Sequence, residues 1–286
     1  MSNTFRKKGF TQPHFYPRKS GAGFTLIELL VVIAILGLVA SVVITSSGRS
    51  RTRAETVKLL QYSATIKKVL GADIGGEWRF EDNRSLPFVA DSSGNNNNGT
   101  WQAFTSYNWV KNDIPELGWA GRFTGLTSND VRVNSSSSLN PDKQITIEMW
   151  VKYDNFLSGR YQMYKQNQYY IYTDSSLRRV LFYFFSSQGI VWIWSSNYAV
   201  NVGQWYHIVG TYDGLQGKIF INGKQSGNAV NAPNRTLTTN IQLLRLGFNH
   251  LGNLDEVKIY SRGLTTAEIQ QHYVEGAKKR GIAIDR

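Results

Sequence analysis

The alternation of apolar and polar positions divides this 286-residue chain into three regions. Residues 24–44, FTLIELLVVIAILGLVASVVI, are a continuous apolar run whose only charge is Glu28. As a helix the run is about 31 Å long, matching a bilayer hydrocarbon core of about 30 Å, and it predicts a membrane-spanning helix. A cleaved secretory signal is the alternative, but such signals carry shorter apolar stretches followed by a small-residue cleavage site, which is missing after residue 44. Residues 46–70 lack proline and have helical spacing: Ala54, Val57, Leu60 and Ala64 make one apolar stripe, and Leu59, Tyr62, Ile66, Val69 and Leu70 another on the far side. Two stripes predict two neighbours. A helix buried on both sides within one domain fits the same pattern.

From about residue 72 the pattern changes to short alternating runs punctuated by Gly, Asn, Asp and Ser. Strands are predicted at 77–81, 130–133, 145–153, 169–172, 180–185, 190–194, 205–212, 218–221, 243–248 and 254–260, the spacing of a β-sandwich. Asn222-Gly223 predicts a tight hairpin turn, since both residues tolerate positive φ. The one helix expected in this region opens at the capping box Thr265-Thr266-Ala267-Glu268 and runs to about Lys278.

Composition narrows the function classes. The chain has no cysteine, which excludes disulfide scaffolds, cysteine-ligated zinc, iron-sulfur clusters and thiol nucleophiles, and its four histidines are scattered. With 18% charged and 13% aromatic residues it reads as a β-rich, exported protein rather than a cytosolic helical one. The net charge of +12 would suggest a nucleic-acid or anionic-membrane partner, but its distribution argues otherwise. Residues 1–23 carry +5 with no carboxylate, residues 24–71 carry +4 and residues 72–286 only +3. The nearly balanced head has no basic stripe for phosphate contacts, so no nucleic-acid partner is expected. Arg49, Arg51 and Arg53 on the far side of the apolar run nearly match the leader's charge, so charge count alone does not orient the helix.

Glu28 is costly in a membrane helix and calls for a partner; a Glu lying near the aqueous interface is the simpler alternative. The sequence Gly23-Phe24-Thr25-Leu26-Ile27-Glu28 after a basic leader resembles the prepilin signature of type IV pilins and type II secretion pseudopilins, over about residues 18–45. The resemblance implies cleavage between Gly23 and Phe24 by a prepilin peptidase on the cytoplasmic side and N-methylation of Phe24. It also implies assembly with other pilins or pseudopilins, the Glu28 carboxylate neutralising the Phe24 amine of an adjacent subunit. The implied locations are the inner membrane before assembly, leader in the cytoplasm and head outside, then an extracellular filament or periplasmic pseudopilus.

The head resembles the laminin-G-like or concanavalin-A-like lectin jelly roll. The blocks that carry this are Trp78-Arg79-Phe80-Glu81-Asp82, Ile145-Thr146-Ile147-Glu148-Met149-Trp150-Val151, Trp205-Tyr206-His207-Ile208-Val209 and Leu254-Asp255-Glu256-Val257-Lys258-Ile259-Tyr260. That fold serves glycan binding, protein adhesion and plain spacing alike. An enzyme is not expected: glycosidases need a pair of carboxylates, Glu148 stands alone in its strand, and His207 reads as a packed strand histidine.

Binding has more support, with 17 aromatics among residues 150–206. Alternation puts Trp192 and Trp194 on one strand face, and Tyr183 opposite Phe182 and Phe184; with Tyr170 and Tyr172 they are candidates for a platform that stacks sugar rings. Core packing with a filament contact over the remainder is the alternative. No cofactor is required, but the oxygen-rich Glu81, Asp91 and Asp255 are a candidate structural calcium site if the first and last strands pair, with an Asx-capped turn at Asp91 as the alternative. The organisation expected is therefore a removed leader (1–23), a transmembrane and stalk helix (24–71), and an all-β jelly-roll sandwich with a short C-terminal helix (72–286). The protein is expected to be a filament subunit, minor or at the tip, presenting a lectin-like head for adhesion. A secretion pseudopilin whose head meets exported substrates, and a surface-anchored glycan hydrolase, are the alternatives.

Overall fold

A computed structural model describes residues 73–82, 84–111, 118–156 and 160–284, all of them within the unit Ile66–Arg286. The leader, the apolar helix and the stalk, with Gly23, Phe24 and Glu28, lie outside the described residues.

The strands in chain order are β1 (Ile74–Trp78), β2 (Phe88–Val89), β3 (Gly99–Trp101), β4 (Trp109–Lys111), β5 (Trp119–Thr124), β6 (Val131–Val133), β7 (Ile145–Tyr153), β8 (Arg160–Lys165) and β9 (Tyr169–Asp174). They continue as β10 (Arg179–Ser186), β11 (Gly189–Trp194), β12 (Trp205–Tyr212), β13 (Gln216–Ile221), β14 (Lys224–Gln225), β15 (Val230–Asn231), β16 (Leu244–Leu246) and β17 (Leu251–Tyr260), followed by helix α1 (Thr266–Lys279). They form two antiparallel sheets. The first runs β14-β13-β12-β7-β17-β5-β4, with β1 added to β17 and β15 to β13; the second runs β11-β10-β9-β8-β16-β6-β3-β2. Both mix neighbours distant in sequence, as a jelly roll requires.

The core lies between the sheets. Ile147, Met149 and Val151 of β7 and Ile208 of β12 meet Ile171, Phe182, Phe184 and Ile193 of the second sheet, all buried. The sheets approach closely where Gly210 faces Phe182; a Cβ there would lie 2.5 Å from the ring. Two predicted features form as expected. Asn222 and Gly223, at φ 51° and 74°, turn β13 into β14, and Thr265 caps α1 by accepting from the Glu268 amide while Glu268 accepts from the Thr265 amide.

The first strand differs from expectation. It spans residues 74–78 instead of 77–81, because Phe80 takes φ 55° and ends it, while Gly75 sits too close to the Ser138 carbonyl for any Cβ. Strand β8 has no counterpart among the predicted strands because its pattern is not a simple alternation. A bulge between Tyr161 and Met163 shifts the register against β9, so Tyr161 and Tyr164, three positions apart, both lie on the outer face.

Candidate functional site

The outer face of the second sheet is aromatic. Strands β8 to β11 turn Ile171, Phe182, Phe184, Val191 and Ile193 into the core, so their alternate positions point away from it. Tyr161, Tyr164, Tyr170, Tyr172, Tyr183 and Trp194 form a separate outer cluster. Pairing aligns Tyr170 with Tyr183 and Tyr183 with Trp192 across three strands. Their rings stack in sequence, with centroids 4.3 and 4.6 Å apart and planes within 15° of parallel. Burial pushes the Tyr170 phenol up to about 12 and the Tyr183 phenol higher still, so both stay protonated and uncharged at any physiological pH. The structure thus brings Tyr170, Tyr172, Tyr183, Trp192 and Trp194 to one face. Tyr161 and Tyr164 join them through the bulge, which strict alternation does not reveal.

The outer face of the first sheet is charged and is covered by α1. Glu148, only 3% exposed, accepts from His207 Nε2 (2.9 Å), Tyr260 Oη (3.0 Å) and His272 Nδ1 (2.9 Å). Burial disfavours its charge, but Lys258 and the hydrogen bonds from both histidines outweigh that and hold the carboxyl well below its usual range. Burial lowers His207, whereas for His272 the bond to Glu148 and its charge overcome burial and raise the imidazole. Next to this cluster a cleft of about 380 Å³ opens between β1, β17 and α1, lined by Glu77, Arg79, Lys258 and His272. Glu148 is alone only within its own strand; its partners come from the helix and from neighbouring strands. The signal for His272 is helical spacing, since it lies between Ile269 and Gly276, three and four positions from buried residues on the same helix.

The three candidate calcium residues do not converge as one group, although the Glu81 charge is felt at Asp255. Asp91 accepts from the Glu77, Ser93 and Asn97 amides and fastens a turn against β1. Glu81 accepts from the Trp119 amide at 2.9 Å. Asp255 is buried in an ion pair with Arg280 at the end of α1, and burial, only partly offset by that arginine, pushes its carboxyl up to about 7. Strands β1 and β17 do pair, as the calcium reading needs, but they leave these carboxylates on separate partners. Among the described residues no group of three His, Asp or Glu side chains is placed to hold a metal.

Two layered sheets with a jelly-roll strand order, an aromatic outer face and a capped helix over the opposite face define a lectin-like domain. Residues 125–270 match the family model of the concanavalin A-like lectin/glucanases superfamily, and the chain belongs to that family. Residues 18–44 match the prokaryotic N-terminal methylation motif. No curated protein matches the chain. Among solved structures it is similar to the binding domain of Paraclostridial Mosquitocidal Protein 1, at TM-score 0.58 and 17% identity over 72% of this chain and 53% of that one. The binding domain of botulinum neurotoxin serotype G is similar at TM-score 0.56 and 13% identity, over 72% and 51% of the two chains. Domain 4 of AbnA, an extracellular arabinanase from Geobacillus stearothermophilus in complex with arabinotriose, is similar at TM-score 0.52 and 20% identity, over 70% of this chain and 97% of that one. The chain spans about half the length of the two toxin domains. At these identities the likeness shows the fold alone.

Proposed function

We propose that this protein is a pilin-like subunit that carries a lectin-like receptor on the outside of the cell. Prepilin peptidase cuts between Gly23 and Phe24, Phe24 is N-methylated, and residues 24–44 hold the subunit in the inner membrane with its head outside until assembly. Glu28 then pairs with the Phe24 amine of a neighbouring pilin. The head captures a glycan on the aromatic face of β8 to β11. Its size, about 215 residues by sequence, favours a minor or tip position over dense packing along a shaft.

The observation that carries this reading is the union in one chain of a methylation motif at residues 18–44 with a lectin-like sandwich. The aromatic outer face adds a recognition surface of the composition used at binding sites. Glu28→Ala tests the assembly half. The variant should still insert and be cleaved yet be missing from sheared filaments; normal incorporation would refute the pairing.

A further inference from the structure

The stacked ladder restricts where a ring-shaped ligand can sit. A sugar stacks on an open ring face, and the ladder closes most of its own. Tyr183 is covered on one side by Tyr170 and on the other by Trp192, leaving it 9% exposed, and Tyr170 is 4% exposed. Trp194 is covered by the Arg179 guanidinium, 3.9 Å above its ring and paired with Asp174. Trp192 differs. It ends the ladder on β11, the outermost strand of its sheet, and is 47% exposed, with one face on Tyr183 and no further ring or guanidinium stacked on it among the described residues.

Beside Trp192 lies a shallow depression of about 480 Å³, floored by Ser195, Ser196, Asn197, Gly227 and Asn228. Its lining contains no ionisable side chain. The Ser195 hydroxyl is engaged by the Val180 amide and the Ser196 carbonyl. The exposed Asn197 and Asn228 carry side-chain amides, groups that donate and accept at once and so suit sugar hydroxyls.

Building on the glycan reading above, we propose that the ligand is an uncharged oligosaccharide, one ring of which stacks on the outer face of Trp192 while Asn197 and Asn228 hydrogen-bond its hydroxyls. Tyr170 and Tyr183 support the indole from behind without touching the sugar. A carboxylated sugar gains nothing here, because the depression is lined by no cation and the guanidinium over Trp194, that of Arg179, is already committed to Asp174.

The test uses the full chain in detergent micelles, titrated with neutral pentose and hexose trisaccharides and with lactose against sialyllactose. The wild type should bind at least one neutral sugar and gain nothing from the added sialic acid. Trp192→Ala should weaken binding about tenfold or more while the melting transition stays cooperative and falls by only a few °C, since the indole lies at an exposed edge, and Trp192→Phe should retain part of the affinity. Tyr183→Phe, which keeps the stack and removes only a hydroxyl, should bind like wild type. Neutral sugar binding that survives Trp192→Ala, or a requirement for the carboxylate, overturns the Trp192 site while leaving glycan capture standing. A wild-type chain that binds none of these sugars overturns both.

Discussion

Replacing Glu148 by leucine tests the account of how α1 is held to the sandwich. The substitution puts an apolar side chain of similar reach in place of the carboxylate and so removes the acceptor for His207, Tyr260 and His272. Each buried donor left without a partner costs about 1–3 kcal/mol, and relief of the carboxylate's own desolvation offsets part of the sum. Breaking a buried ionic cluster by removing one member typically costs about 3–5 kcal/mol, and that is the loss expected here. For a domain of this size it lowers the melting temperature by roughly 6–20 °C, at about 2–4 °C per kcal/mol. Tryptophan fluorescence of the full chain is a suitable assay, because all 8 tryptophans lie beyond residue 72 and report only on the head. Trp150 also stacks on Tyr273 and under Arg280, so it follows helix docking directly. Combined with His272→Leu, the double variant should lose less than the two single losses added together, by about 0.5–3 kcal/mol of coupling. A Glu148→Leu chain that melts within about 3 °C of wild type, less than about 1 kcal/mol on the same scale, would refute the reasoning.

Other consequences concern acid, packing and metal. Burial lowers His250 to about 3, so between pH ~6.5 and that value the unfolded chain takes up a proton that the folded head refuses. Its stabilising contribution is full above pH ~6.5 and falls by about 1.4 kcal/mol per pH unit as acid is added. Buried His207 adds to the same loss, and His250→Gln should flatten the curve measured by urea unfolding; an unchanged slope contradicts the assignment. His272 has the opposite sign, its contribution present below pH ~6.5 and lost as pH rises through its raised value. Gly210→Val places a branched side chain where even a Cβ would lie 2.5 Å from the Phe182 ring, so overpacking should cost about 1–3 kcal/mol; a neutral result in the same unfolding assay would mean that the sheets are less closely set. Because Asp91 and Asp255 are spent on a turn and on Arg280, the melting temperature should be equal in excess calcium and in chelator. A calcium-dependent rise would restore those residues as ligands.

The sandwich was legible in the sequence because it follows from local signals. Strands 145–153 and 205–212 match β7 and β12 residue for residue, and the Asn222-Gly223 turn and the Thr265 capping box dictate their own geometry. Alternation along β10 and β11 also placed Tyr183, Trp192 and Trp194 on the face opposite Phe182, Phe184 and Ile193. What failed to show was whatever depends on register or on distant partners. The bulge in β8 brings Tyr161 and Tyr164 to one face against strict alternation, and a second bulge in β17, between Asp255 and Lys258, turns both of these toward the helix-covered face. The ring stacking that closes Tyr183 and leaves Trp192 open depends on cross-strand register, which no single strand encodes. The cluster around Glu148 joins residues 59 and 124 positions away in the chain, beyond the reach of a local pattern.

The central claim is that one chain joins a processed, pilin-type N-terminus to a lectin-like head outside the cell. Mass spectrometry of the N-terminal peptide, from protein sheared off intact cells that express the full-length gene, tests it most directly. The account predicts a chain beginning at N-methylated Phe24, recovered in the sheared fraction together with head peptides from residues 73–284. A chain that retains residues 1–23, or begins anywhere other than Phe24, would contradict it.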